Sequence, residues 1–323
     1  MFDITAVFRS DHCNFNERLP PSDKNPGGGV CIKLLNLKLA IPSIKVVSEI
    51  YGAGMVSLVE SLWFSGGGFE DFDNRIKQYE ANTSYKILWT SDVEFARWDG
   101  QYRDRIFNAT DVVAANSPYM LQMLRSFMPN VVLLTDPIDI NFIEPDKKLP
   151  YLFGMSNIAI EKNIDSIIEI YKSLPLELGL QKGFIGSADI WGLDIRNKVA
   201  LQLGKELAKS CDWHIPNATR LQVVKKVSRC WGFVSDTAYD TFSYSMVEAM
   251  LAGCWCFCGQ HPIFDDRPVI RFDTPADAVE KISTQLDKGM TINEEARQYV
   301  IDHYSLAVFR SQFKEILGGH FGL

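Results

Sequence analysis

Short apolar runs alternate with amphipathic stretches along nearly the whole chain. Runs at residues 2–8, 86–90, 111–115 and 130–135 read as strands, and a second series follows at 151–155, 183–185, 212–215, 232–234 and 254–258. Between them, residues 70–81, 119–127, 163–173, 196–209 and 243–251 carry helical spacing. Continuous apolar strands joined by helices predict parallel sheets covered on both faces. Two such series predict an α/β chain of two doubly wound domains. The break between them falls at residues 136–150, DPIDINFIEPDKKLP, which hold three prolines and a charge cluster without a helical period. The expected division is therefore a first domain over 1–145 and a second over 146–304. A C-terminal helix over about 305–323 is expected to pack back on the first. Thr274 and Pro275, with Asp277 in the following turn, mark a helix start within the C-terminal helical region.

The 323 residues suit two domains of about 150 residues each. With 46% hydrophobic and 23% charged residues, the chain has the make-up of a globular protein. No apolar run reaches the length of about 18 residues that a membrane span needs. The N-terminal apolar region is cut by Lys33, Lys38, Pro42 and Lys45, and the opening MFDITAVFRSD lacks the layout of a secretory signal. A net charge of −7 removes a global basic footprint for nucleic acid and leaves room only for a local patch. Seven cysteines, an odd number, favour a reducing cytoplasm over a disulfide framework. The run Cys254-Trp255-Cys256-Phe257-Cys258 has no matching Cys/His pair nearby and is apolar throughout, so it reads as a buried strand rather than a metal site.

Ligands of open α/β sheets bind outside the carboxyl ends of the strands, so two facing domains would place a site in the cleft between them. Two loops carry the chemistry. Residues 26–30, PGGGV, precede a helix, and glycines such as Gly28 and Gly29 let backbone amides approach an anion; a flexible turn is the plain alternative. The second is GFVSDTAYDTFSYSMVEAMLAGCWCFCG at 232–259. Ser243, Tyr244 and Ser245 open a helix there and would offer amides and hydroxyls to an anion. Asp240 precedes this cradle and Glu248 follows it, and both could accept hydrogen bonds from sugar hydroxyls. A capped helix with a solvated Glu is the bland alternative.

The stretch D-T-F-S-Y-S-M-V-E-A-M-L-A-G from Asp240 to Gly253 resembles the E-x7-E region of GT-B glycosyltransferases, especially the retaining family 4, whose usual form is E-G-F-G-(x)4-E-A-M-(x)2-G. The carboxylate spacing, the Phe and the E-A-M-x-x-G tail match. Asp240 stands for the first Glu, and Thr241 and Ser243 stand for the glycines. MSNIAIEKN at 155–163 looks like the family's V-G-R-(x)4-K-G loop, with Lys162 at the diphosphate-binding lysine and Asn157 where an arginine is usual. Residues 184–187 resemble the next strand and its glycine turn, and residues 111–117 and 130–142 the end of the first domain. The likeness is loose over most of the chain and specific over about 30 residues.

The resemblance implies a GT-B fold of two Rossmann-like domains and transfer of a sugar from a nucleoside diphosphate, UDP favoured, to an acceptor hydroxyl, with retention. It assigns Glu248 to the ribose, Asp240 to the sugar hydroxyls, and Lys162 with Ser243, Tyr244 and Ser245 to the diphosphate. His214, within the segment 213–216, would meet the base, and Gly28 and Gly29 would face the leaving group. It implies no cofactor beyond the nucleotide-sugar substrate and no metal. Preorganised donors and one lysine stabilise the charge that develops on a departing diphosphate.

Ser91 and Asp92 stand where family members often carry a His that contacts the sugar. Asp92 could touch a substrate, or act as base if the reaction inverted; a helix cap is the alternative. Arg97, Trp98, Arg103 and Arg105 form a basic and aromatic cluster that could serve an acceptor, interleaved with Glu94, Asp99 and Asp104 as on a solvated helix face. Asp71-Phe72-Asp73 spells DxD but sits at a helix start, where acids favour the dipole, so it is assigned no metal. The five histidines show no ligand spacing. Family acceptors include lipids, polysaccharides, small metabolites and, in some viruses, hydroxymethylated DNA bases. The Arg cluster keeps the DNA version open and the acidic charge weighs against it. A nucleotide-sugar epimerase and a non-catalytic partner subunit remain as further readings on the same frame.

Overall fold

The computed structural model describes residues 3–8, 29–47, 50, 54–64, 69–90, 100–128, 130–188 and 195–321. They form two units, one holding the described residues up to Asp139 together with Tyr304–Phe321, the other holding Ile140–His303. The division at Asp139 and Ile140 lies inside the proline-rich segment 136–150. Phe142, Ile143 and Glu144 fall on the second side. Ile143 is fully buried, and Arg297 donates to its carbonyl while pairing with the Glu144 carboxylate at 2.9 Å.

The first unit runs β1 (Ile4–Val7), α1 (Gly29–Ala40), β2 (Lys45–Val47), β3 (Val56–Glu60), α2 (Phe69–Ala81), β4 (Tyr85–Thr90), α3 (Gly100–Asn108), β5 (Val112–Ala115), α4 (Pro118–Arg125) and β6 (Val131–Leu133). Its sheet is parallel, in the order β2-β1-β3-β4-β5-β6. β1 and β3 are buried at every position, as strands covered on both faces must be.

The second unit runs β7 (Leu149–Met155), α5 (Ile164–Ser173), β8 (Gln181–Ile185), α6 (Ile195–Ser210), β9 (Trp213–Ile215), α7 (Arg220–Val227), β10 (Cys230–Ser235), α8 (Tyr244–Leu251), β11 (Trp255–Cys258), β12 (Ile270–Arg271), α9 (Pro275–Asp287) and α10 (Glu294–Tyr304). The chain then returns to the first unit as α11 (Leu306–Phe321). The second sheet is also parallel, in the order β12-β11-β10-β7-β8-β9. Each helical crossover packs on the sheet through an apolar stripe; α5 buries Ile164, Ile167, Ile168, Ile170 and Tyr171. Cys254, Cys256 and Cys258 are buried free thiols, so the cysteine run is the expected apolar strand. Burial pushes the Cys258 thiol up to about 12, despite the nearby cations of Arg267 and Arg271. The strands β2, β3 and β12 are additions to the sequence reading.

The core of the first unit closes only with α11. Phe309, Phe313 and Leu317 pack against Ile4, Leu34, Leu58 and Trp89. Arg310 donates to the carbonyls of Leu39 and Ala40, satisfying the C-terminal end of α1. In the second unit, the buried Lys148 does the same for two helices at once. Its Nζ donates to Ser228 O at 3.0 Å and Ala252 O at 2.6 Å, where α7 and α8 end.

At the carboxyl end of the first sheet lies a buried ion pair. Lys33 Nζ from α1 is 3.1 Å from Asp136 Oδ1, with both side chains 2% exposed, and sits 3.6 Å from the centroid of the Trp89 ring. Asn116 donates to the other Asp136 oxygen. Removing one member of such a pair costs about 3–5 kcal/mol, whereas apolar replacement of both is close to neutral. Lys33→Met is therefore expected to lower urea stability by that amount, and Lys33→Met with Asp136→Leu to recover most of it. Equal stability of the single and double variants would show that the pair carries no such penalty.

Candidate functional site

The order of the second sheet places a topological switch between β7 and β10: the chain moves from β7 outward through β8 and β9, then crosses back to β10. Loops at such a point diverge and leave a crevice where ligands bind. Lys162 and Asp240 stand on these two loops. Lys162 ends the 3-10 turn Ile160–Lys162 after β7, and Asp240 lies between β10 and α8.

The two side chains meet. Lys162 Nζ is 3.2 Å from Asp240 Oδ2 and also donates to Tyr239 O at 3.0 Å and Thr237 Oγ1 at 3.5 Å. The loops are tied from the other side at Glu161 O, which accepts the Ala238 amide at 2.9 Å and has Thr237 Oγ1 at 3.4 Å, while Thr237 also donates to Tyr239 O within its own loop. The second oxygen of Asp240, Oδ1, accepts the amides of Thr241 at 2.9 Å, Phe242 at 3.4 Å and Ser243 at 3.0 Å. Burial would raise the Asp240 pKa; the Lys162 charge, its hydrogen bond and the Ser243 and Phe242 amides outweigh that and hold it below the ordinary carboxylate range.

Ser243 caps α8 with φ +61° and ψ +70°, the left-handed conformation that glycine adopts freely. It is the position where the resembled motif has its second glycine. The strain is held in place from several directions. Asp240 fixes the Ser243 amide, Arg267 Nη1 donates to Phe242 O at 2.8 Å, and the Val247 amide donates to Ser243 O at 3.1 Å. Tyr244 and Ser245 follow half-buried in the first turn of α8. The first amides of a helix have no intrahelical acceptor and form the positive end of its dipole.

Glu248 lies deeper in α8, with its side chain 4% exposed, and Arg220 Nη2 is 2.5 Å from its Oε1. His214, on β9, has Nε2 2.8 Å from Gly186 O. Gly186 has φ +142°, and a Cβ there would overlap the Ser156 carbonyl, so this close approach of the loops after β7 and β8 requires glycine. Ile158 and Ala188 form a bridge between the same two loops. Asn157 is exposed between β7 and the Lys162 turn. His261, on the loop after β11, accepts the Ile263 amide at Nδ1, which leaves its proton on Nε2. Burial lowers its pKa; Asp240 opposes this and Lys162 and Arg271 add to it.

Lys162, Asp240 and Ser243 thus form one hydrogen-bonded cluster, and Glu248 a separate ion pair on the same helix as Ser243. Of the residues read in the first domain, Arg103 on α3 lies 5.0 Å from the Phe127 ring, and Gly29 begins α1. Gly28, Asp92, Arg97 and Trp98 lie outside the described residues. Asp73 of the DxD triplet pairs with Lys77 and with Arg105, which also binds Glu80. Sequence reasoning did not single out Arg220, Arg267 or Thr237. Only the T-R-L-Q capping box that starts α7 hinted that Arg220 has a fixed place.

No protein-family model and no curated protein sequence matches the chain. Solved structures do. HepE from Anabaena in complex with UDP-glucose is similar with a TM-score of 0.72 at 12% identity, over 99% of this chain and 100% of that one. Sucrose-phosphate synthase from Thermosynechococcus elongatus gives 0.70 at 12% identity, over 99% of each chain. TarM gives 0.60 at 14% identity over 88% of this chain, which spans 57% of TarM. These neighbours are GT-B proteins, and the chain has the GT-B fold of two parallel α/β sheets.

Two outcomes follow from the loop between β10 and α8. A left-handed residue other than glycine costs about 1–2 kcal/mol, partly offset by the greater chain freedom of glycine when unfolded. Ser243→Gly is therefore expected to leave stability equal or raise it by up to about 1 kcal/mol, while Ser243→Val lowers it; a Gly variant as unstable as Val would contradict the strain. Asp240 has a folded pKa below its unfolded one, so its contribution to stability is full above the usual aspartate value of about 3.9 and fades as pH falls through the lower folded value. Unfolding free energies of wild type and Asp240→Asn should converge in that acid window; a gap that stays constant down to acid pH would refute the linkage.

Proposed function

We propose that the protein is a glycosyltransferase that moves a sugar from a nucleoside diphosphate sugar, UDP favoured, to an acceptor hydroxyl, with retention at the anomeric carbon. The observation that carries this reading is the Lys162–Asp240 pair beside the α8 N-terminus at the switch point of a GT-B sheet. HepE, TarM and the pneumococcal GtfA have been crystallised with UDP, which supports the same donor base here.

In this reaction the bond from the anomeric carbon to the diphosphate oxygen breaks and its electron pair leaves on the diphosphate. The acceptor oxygen bonds to the anomeric carbon on the same face and passes its proton to the departing diphosphate oxygen. Lys162 and the first amides of α8 meet the charge that grows on the leaving diphosphate. Lys162 already spends all three of its hydrogens on Asp240, Tyr239 and Thr237, so a diphosphate oxygen takes the place of the longest of these, at Thr237. Asp240 stays ionised and accepts hydrogen bonds from the sugar, and Glu248 accepts them from the ribose. The acceptor is a hydroxyl compound.

A ligand that binds only the folded state raises the melting temperature, by about 2.7 kcal/mol of added stability at a concentration of 100 Kd. In a thermal-shift titration with UDP, GDP, ADP and TDP, one nucleotide is expected to shift the wild type and to lose that shift in Lys162→Ala. Glu248→Ala should abolish sugar transfer while remaining folded. Absence of any shift, or full activity of Glu248→Ala, would overturn the assignment.

A further inference from the structure

Arg220 is held on two sides. Its Nη2 lies 2.5 Å from Glu248 Oε1, and its Cζ lies 4.0 Å from the centroid of the Phe142 ring. Its backbone is fixed as well, because it is the first residue of α7 behind the Thr219 and Gln222 capping box, in which each side chain bonds the other's amide. Phe142 is anchored in turn by its neighbours, since Arg297 bonds Ile143 O, Glu144 and Leu251 O at the end of α8. One guanidinium therefore joins α7, α8 and the start of the second unit.

The carboxylate it meets has little freedom of its own. Glu248 sits on a helix whose every residue from Met246 to Leu251 is buried, and Oε1 is out of contact with solvent. A buried carboxylate without a counter-charge is an uncompensated charge, and it moves or changes state to escape that. With Arg220 on Oε1, one oxygen is fixed and the plane of the carboxylate is set. A ligand hydroxyl would meet the other oxygen.

We infer that Arg220 is the positioning residue that makes Glu248 a reader of the ribose 2′-hydroxyl, and that the Phe142 ring keeps it in place. This rests on the nucleotide-sugar reading of the site. It predicts discrimination against a 2′-deoxyribose, because a site built to bond a hydroxyl leaves a buried acceptor unpaired when that hydroxyl is missing. A hydrogen bond to a charged group is worth about 1.5–3 kcal/mol, which corresponds to roughly a 10- to 100-fold preference for the ribonucleotide.

The test is the dissociation constant of UDP, GDP and ADP, each against its 2′-deoxy form, by titration calorimetry on the full chain. Wild type should prefer the ribonucleotide at least about tenfold for the base it accepts. Arg220→Ala should bring that ratio close to one, mainly by weakening the ribonucleotide, and Arg220→Lys should restore part of it. Phe142→Leu, which keeps both charges, should reduce the ratio less than Arg220→Ala, and it covers the case in which Arg220→Ala fails to fold. A packing role for Arg220 would weaken both nucleotides alike and leave the ratio unmoved, which overturns the inference. If Glu248→Gln collapses the ratio while Arg220→Ala and Phe142→Leu preserve it, the inference falls and the site reading stands. If Glu248→Gln also preserves it, the ribose assignment of Glu248 is wrong. If no ribonucleotide binds the wild type, the nucleotide-sugar reading itself fails.

Discussion

The second unit is organised around the carboxylate of Asp240. One of its oxygens neutralises the only cation that the loop after β7 brings to it, and the other collects three successive amides of the loop after β10. The two loops that diverge at the switch point are thereby joined by one side chain. Together with Arg267 on the Phe242 carbonyl, it holds Ser243 in the left-handed conformation from which α8 starts. The electrostatics follow from the same bond pattern: a carboxylate with this many donors stays charged although it is buried.

Buried charge recurs across both units with one design. Lys33 is met by Asp136, Lys148 by the carbonyls that end two helices, and Glu248 by Arg220. In each case a charged group links elements that are remote in sequence, and Lys148 also satisfies carbonyls that the helix ends leave open. Such contacts fix relative positions more than they add stability, because desolvation consumes much of what the pairing gains. That suits sheet ends, where the chain must leave regular structure and still hold side chains in place.

The strands of both sheets were legible because parallel strands are apolar on both faces; 86–90 and 254–258 announce themselves by composition alone. β2 and β12 escaped because three and two residues carry no period, and β3 because the apolar run continues past its end to Phe64. Asp240, Ser243 and Lys162 were legible through a motif whose spacing survives even where its residues differ. The partners were not. Arg220 looks like any solvated helix residue, and Lys33 like the polar side of α1, until the fold brings a carboxylate from elsewhere beside each. Motifs record positions along the chain, whereas counter-charges are recruited across it.

The return of α11 to the first unit has a consequence for how the molecule comes into being. Ile140–His303 is a continuous stretch that holds its own sheet and core, so it can close as soon as it has left the ribosome. The first unit is synthesised earlier but finished later. Leu34, Leu58 and Trp89 wait for Phe309, Phe313 and Leu317 to cover them, and the end of α1 waits for Arg310. During translation its sheet stands with an uncovered apolar face while the second unit is made. The half made first is therefore the half completed last.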